Sequence, residues 1–130
     1  MVSLNASIAY WAKVEPGRLA VVYEDQRIGY GDLANRVESV ADLLRARGVK
    51  PGDVIALLMK NSAAFLELSI AIGYVGAVML PLNYRLSREE VEYILNHAGA
   101  QMLFVDEELE ALAEGIPNRI SLGNSAQKDS

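Results

Sequence analysis

Three small residues near the start of the chain have the spacing of a phosphate-binding turn. Gly29, Gly31 and Ala34 form the pattern G-x-G-x-x-A between a strand-like and a helix-like stretch. In dinucleotide-binding proteins, these glycines let the backbone approach a pyrophosphate, and an acidic residue about twenty residues later binds the ribose. The acidic candidate, Asp53, precedes the strand that it should follow. The pattern therefore favours a strand-to-helix corner, with a dinucleotide-binding piece of an oxidoreductase as an alternative.

A second set of polar residues follows a predicted strand. Asn83, Tyr84 and Arg85 come directly after the run AVMLPL. Ligands of α/β proteins bind beyond the carboxyl ends of the strands, so these three residues are the candidates for substrate or cofactor binding. The same residues also suit a loop that leads into a helix, which is the structural alternative.

Two further residues have side chains that could do chemistry. His97 is the single histidine and the chain has no cysteine, so we predict no metal site and no Cys nucleophile. A histidine at a helix C-terminus is stabilised by the helix dipole without any catalytic role. Glu67 is alone in an apolar run, where it could be a buried acid with a raised pKa. It could instead lie on a partly open face or pair with a Lys or Arg.

The first part of the chain predicts two helices and a small hairpin. Apolar residues at helical spacing indicate a helix over residues 4–14, and two β-prone runs meet at a turn at Glu24 and Asp25. An amphipathic helix follows and is stopped by Gly48. Its inward stripe consists of Leu33, Val37, Val40 and Leu44.

From residue 53 onward the pattern predicts alternating strands and helices. Continuous apolar runs such as VIALLM are typical of strands covered on both faces. The predicted elements are a strand at 54–59, a buried helix at 63–75, a strand at 78–82, a capped helix from Ser87 to Gly99, a strand at 101–105, a short acidic helix at 107–113 and a last strand at 119–122. This order predicts the α/β class, with a mostly parallel sheet flanked by helices beside the small N-terminal hairpin.

Composition excludes several classes of function. The 130 residues suit one domain, and 12 basic against 17 acidic residues give a net charge of −5 with the basic residues scattered. We therefore predict no nucleic-acid partner. The run 63–82 is long enough to span a membrane, but Gly73, Gly76 and Pro81 interrupt it, so we predict no transmembrane segment. No secretory signal is visible, so we expect a cytoplasmic protein.

Read together, several blocks of the sequence resemble the N-terminal region of adenylate-forming acyl-CoA synthetases. The blocks are IGYGDL at 28–33, GVKPGD at 48–53, MKNS at 59–62 and GYVGAVMLPLNYRLSREEVEYIL at 73–95. The last block is similar to the fatty-acyl branch of the family. In the first block, Gly29 stands where the family usually has Thr or Ser, and Asp32 replaces a Glu.

The resemblance implies the N-terminal part of an ATP-dependent, AMP-forming ligase. Such an enzyme activates a carboxylic acid as an acyl-adenylate and transfers the acyl group to coenzyme A, so ATP, Mg²⁺ and coenzyme A are implied for the whole enzyme. The family's phosphate loop and later catalytic motifs do not occur here, so we expect no catalytic residue and no cofactor in this chain, and no activity from it alone. Residues 1–122 would form an N-terminal α/β subdomain, and 123–130 a polar tail.

The resemblance also implies partners. They are the remainder of the ligase chain and, in the whole enzyme, the small-molecule acid, ATP and coenzyme A. An exposed apolar surface beside the strands is expected, through which the chain could form a homodimer. The alternative from a different class is a free-standing, non-catalytic oligomerisation or scaffold module.

Overall fold

The computed structural model describes residues 4–23 and 26–123. Its elements are α1 (Leu4–Val14), β1 (Leu19–Tyr23), β2 (Gln26–Gly29), α2 (Tyr30–Ala46), β3 (Val54–Leu58), α3 (Ala63–Tyr74), β4 (Val78–Pro81), α4 (Arg88–Ala98), β5 (Ala100–Asp106), a 3₁₀ helix (Glu107–Ala113) and β6 (Arg119–Leu122). The predicted order and the α/β class are confirmed. The predicted hairpin turn at Glu24 and Asp25 lies outside the described residues.

The main sheet has four parallel strands in the order β4-β3-β5-β6. In its register, Ala56 of β3 lies opposite Leu80 of β4 and Leu103 of β5. The small sheet consists of β1 and β2, which are antiparallel. Among the residues described, no helix is long and apolar enough to span a membrane.

Side chains alternate along each strand, so each face of the main sheet carries its own set of apolar residues. Helices cover both faces. On one face, Ile55, Leu57 and Phe104 pack in a core with α2 and α3. On the other face, Leu58 and Val105 pack in a second core with α4 and the 3₁₀ helix. Residues 55–58 of β3 are fully buried, which explains the continuous apolar run that predicted a doubly covered strand.

Side-chain caps fix the helix starts that the sequence predicted. Ser62 Oγ accepts a hydrogen bond from Phe65 N at 3.0 Å. Ser87 Oγ accepts from Glu90 N, and Glu90 Oε1 accepts from Ser87 N, so the predicted capping box is present. Hydrogen bonds to the Glu90 carboxylate from the backbone and the side chain of Ser87 lower the pKa of Glu90 below its ordinary value. Gly99 ends α4 with a φ of 67°, in the left-handed region that glycine tolerates.

A close approach between two turns explains the glycines at the start of α2. Tyr30 N donates to Arg18 O and Gly31 N donates to Pro16 O, both at 2.9 Å. A Cβ added to Gly31 would lie 2.9 Å from Pro16 Cβ. The amides that would have to hold a pyrophosphate therefore already have protein acceptors, and the glycines serve chain packing.

One ion pair links α2 to α3. Arg36 Nη1 donates to Glu67 Oε1 at 2.9 Å, and the Glu67 side chain is 1% exposed. Burial raises the pKa of Glu67, although the hydrogen bond and charge of Arg36 act to lower it. Of the three alternatives for Glu67, the buried acid and the ion pair are both confirmed, and the partly open face is wrong.

Gly31→Ala should destabilise the fold although alanine is the better helix former. The added methyl meets Pro16, and overpacking of this kind costs about 1–3 kcal/mol, against a gain of about 1 kcal/mol in helix propensity. Gly73→Ala in α3 is the matched control because nothing lies within 4 Å of its added Cβ, so this variant should be more stable. Urea unfolding followed by circular dichroism measures both. Equal changes of the same sign in the free energies of unfolding of the two variants would contradict the packing argument.

Glu67→Gln should change how stability depends on pH. Since the folded state binds the Glu67 proton more tightly than the unfolded state, stability falls as the pH rises from the ordinary value of 4.5 through the raised pKa. The variant lacks this loss, so its stability relative to wild type should improve across that range. Urea unfolding at a series of pH values measures the difference. A relative gain for wild type would mean that the charge of Arg36 outweighs burial.

Candidate functional site

The carboxyl ends of the parallel strands bring polar residues from three loops together. Lys60 follows β3, Tyr84 follows β4, and Asp106 ends β5. The register places Leu57 opposite Pro81 and Leu58 opposite Val105, so these three strands end at the same edge of the sheet. We call this cluster of Lys60, Tyr84, Arg85, Asp106 and Glu108 the carboxyl edge.

Asp106 joins the loop after β3 to the end of β5. Its Oδ2 accepts a hydrogen bond from Lys60 N at 2.9 Å, and the residue is only 6% exposed. Its Oδ1 is buried without a hydrogen-bond partner in the described structure. Burial raises the pKa of Asp106, helped by the charge of Glu108 and opposed by the Lys60 amide and the Lys60 charge. The carboxyl group thus positions the loop that carries Lys60.

Two cations lie near one exposed aromatic ring. Lys60 Nζ is 5.4 Å and Arg85 Cζ is 5.3 Å from the centre of the Tyr84 ring, which is within cation–π range. Lys60 Nζ also pairs with Glu108 Oε1 at 3.4 Å. Within the described ranges, no acidic side chain forms a salt bridge with Arg85. An exposed ring beside a cation without an acidic partner is suited to binding a planar or anionic group.

The three residues predicted as ligand contacts lie together in the loop between β4 and α4. Asn83 Oδ1 accepts from Arg85 N at 2.9 Å, so its side chain stabilises the turn, as the structural alternative required. Tyr84 and Arg85 are exposed. Their role in binding substrate or cofactor stays a prediction.

The sequence reasoning missed Lys60 and Asp106 as members of this cluster. Each directly follows a buried apolar run, and that position was the available signal. The edge is also anchored to the hairpin, because Tyr23 Oη donates to Asn61 O at 2.6 Å.

His97 lies on the surface of α4 and stacks on Tyr93, with 5.7 Å between ring centres and 8° between planes. Over residues 4–23 and 26–123, no group of three or more His, Cys, Asp or Glu side chains could hold a metal ion.

The structure does not favour the dinucleotide alternative. Asp53 lies before β3, at the end of the sheet opposite the carboxyl edge, where its Oδ2 accepts from Lys50 N at 2.8 Å. The first amides of α2 donate to Pro16 and Arg18, as described above. Neither the predicted ribose anchor nor the predicted phosphate cradle is therefore available.

Comparison with known proteins gives matches that cover most of the chain. A family model described as AMP-binding enzyme matches residues 8–128. A feruloyl-CoA synthase from an Amycolatopsis species is 37% identical over 127 residues, which cover 92% of this chain and 26% of that protein. The fatty acid–[acyl-carrier-protein] ligase ScoC of Streptomyces coeruleorubidus is 32% identical, covering 88% of this chain and 22% of that ligase.

Solved structures share the fold. A putative long-chain-fatty-acid CoA ligase from Rhodopseudomonas palustris CGA009 has a TM-score of 0.85 at 26% identity, covering 94% of this chain and 33% of that chain. The N-terminal domain of FACL13 from Mycobacterium tuberculosis has a TM-score of 0.81 at 28% identity, covering 99% and 35%.

The parallel sheet flanked by helices, with its small antiparallel hairpin, thus matches the N-terminal domain of acyl-CoA ligases. Because the family model matches nearly the whole sequence, the chain belongs to the AMP-binding enzyme family. The resemblance drawn from the sequence blocks is confirmed. The chain spans about a quarter of the length of the relatives that it matches.

Asp106→Asn and Asp106→Ala should differ in their effect on stability. Asparagine keeps an oxygen that can accept from Lys60 N, whereas alanine leaves this partly buried amide without an acceptor, at a cost of roughly 1–3 kcal/mol. We expect the alanine variant to be the less stable and to show faster hydrogen exchange at Lys60 N. Urea unfolding and amide exchange by NMR measure both effects. An unchanged exchange rate at Lys60 N in the alanine variant would contradict the positioning role.

Proposed function

We propose that the chain is the N-terminal part of a longer, ATP-dependent and AMP-forming acid–CoA ligase, and that its acid is a fatty acid. Residues 1–122 are the α/β subdomain in this proposal, and the cytoplasm is the proposed compartment. The observation that carries the proposal is the match of the family model to residues 8–128, together with the shared fold.

The names of the relatives support the type of reaction more strongly than they support any particular acid as the substrate. Feruloyl, 2-succinylbenzoate and 4-hydroxybutyrate ligases are among them, and all three names specify joining an acid to CoA. The fatty acid is supported by the block at 73–95, by the ligase ScoC and by the long-chain-fatty-acid ligase whose fold is similar.

The proposed chemistry has two steps. The carboxylate oxygen of the acid attacks the α-phosphorus of ATP and pyrophosphate leaves, giving an acyl-adenylate. The sulfur of coenzyme A then attacks the acyl carbon, its proton is lost to a base, and AMP leaves. Adenylation turns a poor leaving group into a good one. Mg²⁺, when bound, offsets the charge of the phosphates.

In this proposal the described residues bind and position, and the reacting groups come from the rest of the ligase. Tyr84 and Arg85 meet a substrate or cofactor at the carboxyl edge, with Asn83 holding their turn. Arg85 is the cation best suited to a phosphate group, because Lys60 is already paired with Glu108. Asp106 holds the loop of Lys60 beside them.

The reaction is tested on the longer protein encoded with this chain. With ATP, Mg²⁺ and coenzyme A present, it should release AMP and pyrophosphate only when an acid is added. Fatty acids should give a higher kcat/KM than ferulate or benzoate, while the 130-residue chain alone should release no AMP. Formation of ADP, or AMP formation that does not depend on acid, would overturn the ligase proposal. A preference for ferulate or benzoate would overturn only the fatty-acid assignment.

Arg85→Ala tests the role of the carboxyl edge in that enzyme. Loss of a charge-assisted contact of about 1.4 kcal/mol should raise the KM for ATP or coenzyme A about tenfold. Arg27→Ala removes an exposed arginine from β2 and serves as the control, with an unchanged KM. If both variants leave both KM values unchanged, Arg85 does not contact either substrate.

A further inference from the structure

A small polar cavity lies at the amino ends of the parallel strands, at the opposite end of the sheet from the carboxyl edge. It has a volume of about 90 Å³, and Arg47, Asp53, Gln101 and Asn118 are among the residues that line it. These four residues come from the end of α2, the turn before β3, the start of β5 and the loop before β6. We call it the amino-edge cavity.

Two opposite charges line the amino-edge cavity without pairing. Among the described residues, neither Arg47 nor Asp53 forms a salt bridge, with each other or with any other side chain. Asp53 Oδ2 accepts a hydrogen bond from Lys50 N at 2.8 Å, which leaves Asp53 Oδ1 for a ligand. A molecule that contacts both side chains must therefore offer an anionic group to the guanidinium and a cationic group to the carboxylate.

Asn118 adds a further polar group that the backbone holds in place. Over residues 4–23 and 26–123 it is the one non-glycine residue with a positive φ, 56°, in the left-handed region that asparagine tolerates. Its carbonyl accepts from Leu103 N at 3.1 Å, and its Nδ2 donates to Gln101 O at 3.4 Å. The side-chain oxygen of Asn118 is therefore left as a second acceptor for a cationic donor.

Size and charge together select the class of ligand. Pockets for drug-sized molecules measure about 300–1,000 Å³, so this cavity admits only a molecule of a few heavy atoms and excludes a nucleotide or coenzyme A. A simple anion would place a like charge beside Asp53, and a simple ammonium ion would do the same beside Arg47. A zwitterion avoids both, and its carboxylate can accept two parallel N–H bonds from the guanidinium.

We propose that the amino-edge cavity binds a small α-amino acid of the size of glycine in its zwitterionic form. The carboxylate of the amino acid accepts from the Arg47 guanidinium, and its ammonium donates to Asp53 Oδ1 and to the side-chain oxygen of Asn118. The site goes beyond the proposed function, because it lies away from the carboxyl edge and requires neither ATP nor coenzyme A.

NMR titrations of the 130-residue chain test the class of ligand. Glycine should give saturable shifts at the amides of Gly48, Asp53 and Asn118. It should bind about five times more tightly than acetate or methylammonium, each of which carries only one of the two charges. A mixture of acetate and methylammonium controls for the effect of added salt. Acetate or methylammonium binding as tightly as glycine, or shifts that do not saturate, would overturn the proposal.

Paired variants test the two charges separately. Arg47→Gln should remove the preference for glycine over methylammonium. Asp53→Asn should remove the preference over acetate, while its side-chain oxygen can still accept from Lys50 N and keep the turn. Arg45→Gln is the matched control, because Arg45 also lies in the last turn of α2 but pairs with Asp42 and does not line the cavity. An equal loss of glycine affinity in the control would assign the binding to general charge and overturn the site.

Saturation-transfer NMR, observed on the methylene protons of glycine, extends the test to the longer protein. Wild type should transfer saturation to glycine in the absence of ATP, acid and coenzyme A, and Asp53→Asn should lose this signal. Acid-dependent AMP formation without the glycine signal would leave the ligase proposal standing and overturn the amino-edge site. A glycine signal from a protein that forms no AMP would support the site and overturn the ligase proposal.

Discussion

Burial of β3 on both of its faces is the constraint on which the rest of the structure depends. A parallel strand in the middle of a sheet is stable only when helices cover both sides, because each side exposes apolar residues. Leu57 and Leu58 point to opposite cores, one beneath α2 and α3 and the other beneath α4 and the 3₁₀ helix. Because these strands are also parallel and in register, their carboxyl ends lie at the same edge of the sheet. The position of the carboxyl edge is therefore a consequence of strand pairing.

The contacts at the carboxyl edge differ in how much they contribute to stability. The pair of Lys60 with Glu108 is about half exposed, and such surface pairs contribute about 0–1 kcal/mol. The hydrogen bond from Lys60 N to Asp106 Oδ2 is partly buried and therefore shielded from solvent, so it contributes more than the ion pair to holding the loop after β3. The turn after β4 is closed by the Asn83 side chain and the Arg85 backbone amide, which leaves the side chains of Tyr84 and Arg85 exposed. The edge thus presents two exposed side chains beside an anchored loop.

Local sequence signals predicted the helices and strands well, but they did not predict the contacts between residues far apart in the sequence. The capping box of Ser87 with Glu90 and the αL residue Gly99 are local features, and both are present where expected. The acidic segment at 107–113 is a 3₁₀ helix where the sequence predicted a helix without specifying its type. The link from Lys60 to Asp106 joins residues 46 positions apart, so it depends on strand register that no local pattern encodes. For the same reason the sequence left the surroundings of Glu67 open. The position of Asp53 already argued against a dinucleotide site, but the contact of Gly31 with Pro16 that explains the glycine was visible only in the structure.

In the function proposed above, this α/β layer is an indispensable part of a larger acid–CoA ligase. The most direct test of this role is to produce residues 1–123 and the remaining ligase polypeptide as two separate chains and to measure acid-dependent AMP formation. The account predicts that neither chain alone releases AMP and that mixing or co-expressing them restores the reaction. Full activity from the remaining polypeptide alone would contradict it, because the layer would then be dispensable.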